Sequence, residues 1–551
     1  MQGRVPRWRR IARESSTGVP GDDAAEGLVR SGRREGDGHE GETGVNVVAT
    51  ATAANIRFGT PQARWVLGAT VGASGLAMLD ATTVNVALPA IGAELDATVA
   101  GLQWTVNGYT LSLASLILLA GSLADRYGRR RVFQIGIAWF ALASLVCAAA
   151  PTIGTLIAAR VLQGVGGALL TPGSLAILHA SFAPGDRGRA IGAWSGLGGV
   201  AAAIGPLLGG WLVGAGSWRS IFWINLPVAA AVLWVTARHV PESRADAPGE
   251  ERAPFDVAGS LLGALGLGAS TWALIAAGDQ GASAPVVAAG AAGVLALAAF
   301  ALVERRSRAP LVPPDLFASR QFTGVNLVTF VVYGGMSGLF FLLVVYLQQV
   351  AGYSPLLAGT ALVPVTLLML LLSPRAGAAA ERIGPRRPMT AGPLVMAAGM
   401  LLLSRIGQNP SYVADVLPGV VVFGLGLSAT VSPLTATVLA SADQRQAGMA
   451  SGVNNAVART ASLIAVAVLP VAAGLTGDAF TDPERFERGF RIAMSASAAL
   501  MALGGVLAWL VIRDEPGAGR RASDRDEVTR HRFCAVDGPP IEPDTRAARP
   551  R

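Results

Sequence analysis

The chain of 551 residues contains no lysine; all 44 of its strong bases are arginine. That absence excludes the phosphate-gripping lysine of a P-loop, and with it an ATPase of the usual kind. It also excludes Schiff-base chemistry. The two cysteines, Cys147 and Cys534, cannot make a disulfide framework. The four histidines, His39, His179, His239 and His531, fall in no metal-ligand spacing, so neither a metal nor a cofactor is expected. Charge is scarce as well. Only 15% of residues are charged, against about 25% in ordinary soluble domains. No signal-peptide core precedes the first long apolar segment, which is long enough to remain as a helix.

Apolar residues are abundant, at 52%, with a mean hydropathy of +0.48. Apolar runs of about 20 residues recur along the chain, the length of a membrane-crossing helix. Backbone polar groups in lipid must be satisfied internally, so such runs are helical. The 68 glycines suit close helix packing in a bilayer, where small residues let backbones approach.

Fourteen spans are expected, near 65–88, 102–122, 132–150, 153–179, 189–213, 219–237, 256–276, 284–303, 322–349, 355–374, 388–404, 416–439, 450–474 and 490–512. A pI near 10.3 invites a nucleic-acid reading, but the distribution of charge rejects it. Residues 1–63 carry 9 arginines against 8 acids, and residues 513–551 again 9 against 8. The excess lies in the short loops. With the N-terminus inside, the inner loops hold 18 arginines and the outer loops 5 (Arg219, Arg405, Arg485, Arg488 and Arg491). Such a bias orients both termini to the cytoplasm. The tails, 1–63 and 513–551, have a composition that predicts disorder. Arginine-only usage with abundant Ala and Gly suits a GC-rich bacterial genome, placing the chain in a bacterial cytoplasmic membrane.

The chain repeats itself. GSLADRYGRRR at 121–131 aligns without gaps on GAAAERIGPRR at 377–387, an offset of 256 residues. The same offset carries Arg189, Gly192 and Ser195-Gly196 onto Arg445, Gly448 and Ser451-Gly452. The expected architecture is therefore all-α. It has a six-helix bundle at 64–240, two inserted helices within 241–320, and a second six-helix bundle at 321–512. Transporters are commonly built from such repeats, with the site near midplane between the halves.

Three features carry candidate chemistry. Asp80 in LDATTVNVALP lies about 13 Å below Pro89, and Arg160, the other deep charge, about 10 Å inside its own span, at 1.5 Å per residue. Matched depths point to a pair, either a static bridge between spans 1 and 4 or a carboxylate that exchanges a proton. In the first repeated loop, Gly121 and Gly128 suit a tight turn, and Asp125 lies where the positive end of the next helix begins. Arg126 and Arg130 belong to the same loop; the arginines alone would serve as orientation signals. In span 5, Gly192 with Gly196 and Gly205 with Gly209 form small-xxx-small pairs beside Pro206 and Gly210, which close packing alone would explain.

These stretches resemble signatures of the major facilitator superfamily. GSLADRYGRRRVF is similar to its loop 2–3 motif, LIAARVLQGVGGA to its span 4 arginine motif, and AIGPLLGG to its span 5 antiporter motif. LDATTVNVALP, QWTVNGYTLSLA and WRSIFWINLP, with the two-helix insertion, resemble the fourteen-helix drug:proton antiporter family of the EmrB/QacA type. The resemblance runs from about 65 to 512. It implies proton-coupled export, with Asp80 protonated, Arg160 coupled to it, and Asp125 and Arg126 latching the cytoplasmic side. Gly205 and Pro206 would shape the conformational change. Some family members that handle divalent cations carry an acid in span 10; PLLAGTALVPVTLLMLLLSP here has none, which disfavours dications. Asn85, Trp104, Asn107, Tyr109, Tyr333, Phe340, Asn454 and Asn455 are the candidate cavity residues, each equally explicable as packing. The expected partners are a lipophilic drug, antibiotic or secreted natural product, protons and the bilayer. Movement of an endogenous metabolite such as a siderophore or amino acid is the alternative. A membrane enzyme would need a nucleophile–base pair or a metal spacing, and neither is present in the sequence.

Overall fold

The computed structural model describes residues 56–514 except 184, 244–255, 308–309, 443–446, 478 and 480–481. The expected tails thus lie outside the described residues, apart from a few residues at their inner ends. Twelve helices among the described residues are long and apolar enough to cross a membrane. Arg187–Ala215 and Arg386–Leu403 occupy the fifth and eleventh places in the expected order, giving fourteen. In chain order they are α1 (Pro61–Leu95), α2 (Val99–Tyr127), α3 (Arg129–Ala148), α4 (Ile153–Ser181), α5 (Arg187–Ala215), α6 (Ser220–His239) and α7 (Val257–Gln280). They continue as α8 (Ala284–Arg306), α9 (Arg320–Gln349), α10 (Pro355–Ile383), α11 (Arg386–Leu403), α12 (Tyr412–Ala440), α13 (Ala447–Ala472) and α14 (Pro483–Val511).

Helix starts follow local chemistry. Thr60, Thr98, Ser319 and Ser354 each accept a backbone N–H of the first turn, and Thr152 and Thr155 cap each other reciprocally. Helix α1 does not end at Pro89. It runs on to Leu95, because a proline in lipid-buried helix is accommodated by its neighbours.

The two halves share one packing scheme. In the first, α1 packs on α5 and α6, and α4 on α2 and α3, with α3 also touching α6. In the second, α9 packs on α13 and α14, and α12 on α10 and α11, with α11 touching α14. The repeated loops match in detail. Gly128 and Gly384 both adopt positive φ, 107° and 84°. Each sits under a carboxylate that follows the sixth helix of its half. Glu242 accepts the Arg130 N–H at 3.0 Å, and Asp514 accepts the Arg386 N–H at 3.0 Å. A Cβ at either glycine would collide with that carboxylate. The anion thus sits at the positive end of α3 or α11.

The halves meet along α2–α13 and α5–α10. At the arginine-poor end the seam is tight: the Gln103 side chain donates to the carbonyl of Val466 at 2.7 Å, and Gln348 to that of Val86 at 2.9 Å. The inserted α7 and α8 pack on each other, and α7 touches both α2 and α13. The hairpin therefore covers one seam rather than joining either bundle.

Candidate functional site

Asp80 and Arg160 form an ion pair, each 1% exposed. The arrangement around them is closed. Gln163, one turn beyond Arg160, accepts from its guanidinium at 2.6 Å and donates to Asp80 at 2.8 Å. Asn225 of α6 donates to the same Asp80 oxygen at 3.1 Å. Ser144 of α3 accepts from Gln163 at 2.8 Å and from Asn225 at 3.2 Å. The Arg160 Nε donates to the Thr105 carbonyl at 3.1 Å, and the guanidinium stacks 4.4 Å over the Tyr109 ring. Arg160, Gln163 and Asn225 all donate to Asp80, so the set complements a carboxylate. Burying an unpaired charge is costly; pairing and hydrogen bonding on all sides make this one tolerable. The ion pair anchors a network drawn from α1, α2, α3, α4 and α6.

The span 5 glycines border this network. A Cβ on Gly205 would strike the Thr82 hydroxyl, and one on Gly209 would lie 3.0 Å from the Thr83 Cα. Both glycines therefore fit α5 against the turn of α1 that follows Asp80. On its other side α5 meets the second half: Gly210 lies against Pro355 and Leu356, and the Pro206 carbonyl against Gly359. Gly205, Pro206, Gly209 and Gly210 thus sit between the Asp80 helix and α10.

The tight turn expected at Gly121 and Gly128 is confined to Gly128, because α2 continues through Gly121 and Asp125 to Tyr127. Asp125, in the last turn of α2, pairs with Arg129 at the start of α3 at 2.8 Å, and Arg130 approaches Glu242 as well through its side chain, at 3.9 Å. Gly121 packs toward Pro172 of α4. Arg126 lies over the Tyr127 ring at 5.8 Å.

The cavity candidates separate. Tyr109 is buried against Arg160 and reaches the Ala77 carbonyl at 3.4 Å. Asn107 is buried, and neither its amide nitrogen nor its oxygen has a partner. Asn85, Trp104, Tyr333 and Phe340 are half-buried, and Asn455 is exposed. Phe340 makes an edge contact with Phe423. Asn454 donates to Asn326 at 3.0 Å and to Thr329 at 2.8 Å, so it ties α13 to α9. Gln163, Ser144 and Asn225 were not singled out from sequence. Gln163 and Asn225 do lie inside the quoted span 4 and WRSIFWINLP stretches, whereas Ser144 gives no signal. Trp218 and Arg219 of the latter stretch fasten Glu94 at the arginine-poor end, the indole at 2.7 Å.

Fourteen helices in two repeated bundles, with a buried acid–base pair between the first and fourth, define a secondary-transporter fold. The model of the Major Facilitator Superfamily matches residues 70–466, and the chain belongs to that family. It is 37% identical over 465 residues to the puromycin resistance protein of Streptomyces alboniger, covering 82% of this chain and 92% of that one. It is 36% identical to the tetracenomycin C resistance and export protein of Streptomyces glaucescens, covering 73% and 75%. Among solved structures it resembles a bacterial homolog of the human lysosomal transporter Spinster, with a TM-score of 0.59 at 18% identity, covering 82% of this chain and 97% of that one.

Proposed function

We propose that the protein is a proton-coupled antiporter that exports lipophilic small molecules across a bacterial cytoplasmic membrane, both termini facing the cytoplasm. The observation that carries the reading is the enclosed Asp80–Arg160 pair, which shares its helix with the α5 contact. Similarity to resistance and export proteins supports the export direction. The chain acts as a transporter and not as an enzyme, and it draws on the proton gradient rather than on ATP.

In this mechanism a proton entering from outside neutralises Asp80. Arg160 then loses its counter-charge and retains the Gln163 oxygen, the Thr105 carbonyl and the Tyr109 face. Gln163 and Asn225 no longer donate to a full negative charge, so the bond network between α1, α4 and α6 slackens. Helix α1 carries Thr82 and Thr83 against Gly205 and Gly209, so its displacement moves α5. Helix α5 in turn bears on α10 of the other half, which opens or seals the arginine-poor end. Asp125 and Arg126 at the end of α2, with the turn at Gly128 and with Arg130 and the helical Gly121 on either side of it, serve as the latch on the cytoplasmic side. One charge moving inward is worth about 2.3 kcal/mol per 100 mV, enough for roughly a fortyfold gradient of a neutral solute.

The test uses inverted membrane vesicles made acid inside, with a pH-sensitive dye and a panel of lipophilic antibiotics. Wild type releases protons when a substrate is added, and Asp80→Asn does not. Equal proton release by Asp80→Asn would sink the proposal.

A further inference from the structure

A second deep cation remains after the Asp80–Arg160 pair is accounted for. Arg459 lies midway along α13. Among the described residues it makes no hydrogen bond, ion pair or ring contact, and its Nε is buried without a partner. Among the described residues no acid pairs with it. Asp80 is the one carboxylate deep within a span, and both of its oxygens are taken by Arg160, Gln163 and Asn225.

The position of Arg459 follows from helix register. Helices α2 and α13 run antiparallel, with Gln103 bonded to Val466 and Leu118 packed on Gly452. Arg459 falls between these contacts, level with residues 110 and 111. Helices α9 and α13 run parallel, with Asn454 bonded to Thr329. Asn454 also bonds Asn326, so five residues further along, Arg459 comes level with residues 331 to 334, a stretch that includes Tyr333. Arg459 and Tyr333 are both half-buried rather than sealed. Arg459 thus stands on the seam between the halves, near midplane, half-buried and, among the described residues, without a counter-ion. A lone charge there is costly unless something pairs with it. A planar fork of donors matches a carboxylate or an ionised phenol.

We propose that Arg459 is the charge-recognition residue of the substrate site, and that the site takes lipophilic acids: aromatic or apolar molecules carrying one carboxylate or ionised phenol. Tyr333 stands beside the anion, and the half-buried Trp104 and Phe340 are available to the apolar body. The inference rests on the exporter reading and narrows its substrates.

The test measures equilibrium binding to the purified full-length protein in detergent. The probes are 9-anthracenecarboxylate, its uncharged amide and 9-(aminomethyl)anthracene, which share one fluorescent ring system. Wild type should bind the carboxylate about 10- to 100-fold more tightly than the amide, the range of a charge-assisted hydrogen bond, and the amine most weakly. Arg459→Gln should bring carboxylate and amide to within about twofold, and Arg459→Lys should keep part of the preference. A wild type that binds the carboxylate no better than the amide, or not at all, overturns the proposal without recourse to any variant. Preference surviving in Arg459→Gln overturns it too. Vesicle proton release separates this from the parent reading. Release driven by the amide or the amine but not by the carboxylate leaves export standing and removes the acid site. Arg459-dependent carboxylate binding with no release does the reverse.

Discussion

The two halves of this molecule share helix packing and even loop chemistry, yet they differ where it matters most for coupling. At the repeat offset, Asp80, Arg160 and Ser144 of the first half correspond to Met336, Val416 and Met400 of the second. The first half is held by a polar network around a buried carboxylate. At the matching positions the second is apolar and has nothing to titrate. It instead places Arg459 where the first half has Ala203. On our proposals, one duplicated scaffold thus carries proton exchange on one side of the seam and substrate charge on the other.

The largest effect should come from breaking this asymmetry at its centre. Arg160→Gln leaves Asp80 buried without its counter-charge, a loss of about 3–5 kcal/mol. Thermal unfolding in detergent should show a clear drop, and proton-driven efflux should vanish. Val416→Gln, at the matching position, should retain coupled efflux. A variant at 416 that uncouples transport as Arg160→Gln does would show that the halves share the task.

Next is Gly205→Leu. The added side chain collides with Thr82, and overpacking of this kind costs about 1–3 kcal/mol. Because the contact joins α1 to α5, transport rate should fall at least tenfold while equilibrium substrate binding changes little. Binding lost together with rate would mean that the glycine shapes the site itself.

The smallest effects should be symmetrical. Gly128→Ala and Gly384→Ala each force a side chain into positive φ beneath a carboxylate. Each should lower stability by about 1–2 kcal/mol, measured as similar shifts in unfolding temperature. Glu242→Gln and Asp514→Asn, which weaken the charge at a helix start, should cost about 0.3–1 kcal/mol each. Strongly unequal losses within either pair would refute structural equivalence of the loops.

Much of this was legible in the sequence, for identifiable reasons. Span order follows hydrophobic length, which the bilayer imposes. The Asp80–Arg160 pair followed from matched depth, because in a membrane depth alone limits which charges can meet. The repeat showed in Gly128 and Gly384, since positive φ leaves a residue-type signature. What escaped were partners set by tertiary packing. Gln163, Ser144 and Asn225 converge from three helices, and no spacing along the chain announces that. Glu242 and Asp514 lie just beyond apolar spans, in segments that read only as polar linkers. Asn454 looked like a cavity residue, but its amide is spent on α9. Pro89 looked like a helix exit, and its helix continues for six more residues to Leu95.

The central claim is that the proton is carried by the first half alone, at Asp80. The most direct measurement is proton release by purified protein in weakly buffered detergent solution on addition of a transported substrate. The account predicts about one proton released per wild-type molecule bound, the same from Met336→Leu, and none from Asp80→Asn at saturating substrate. Undiminished release from Asp80→Asn would place the coupling elsewhere and contradict it.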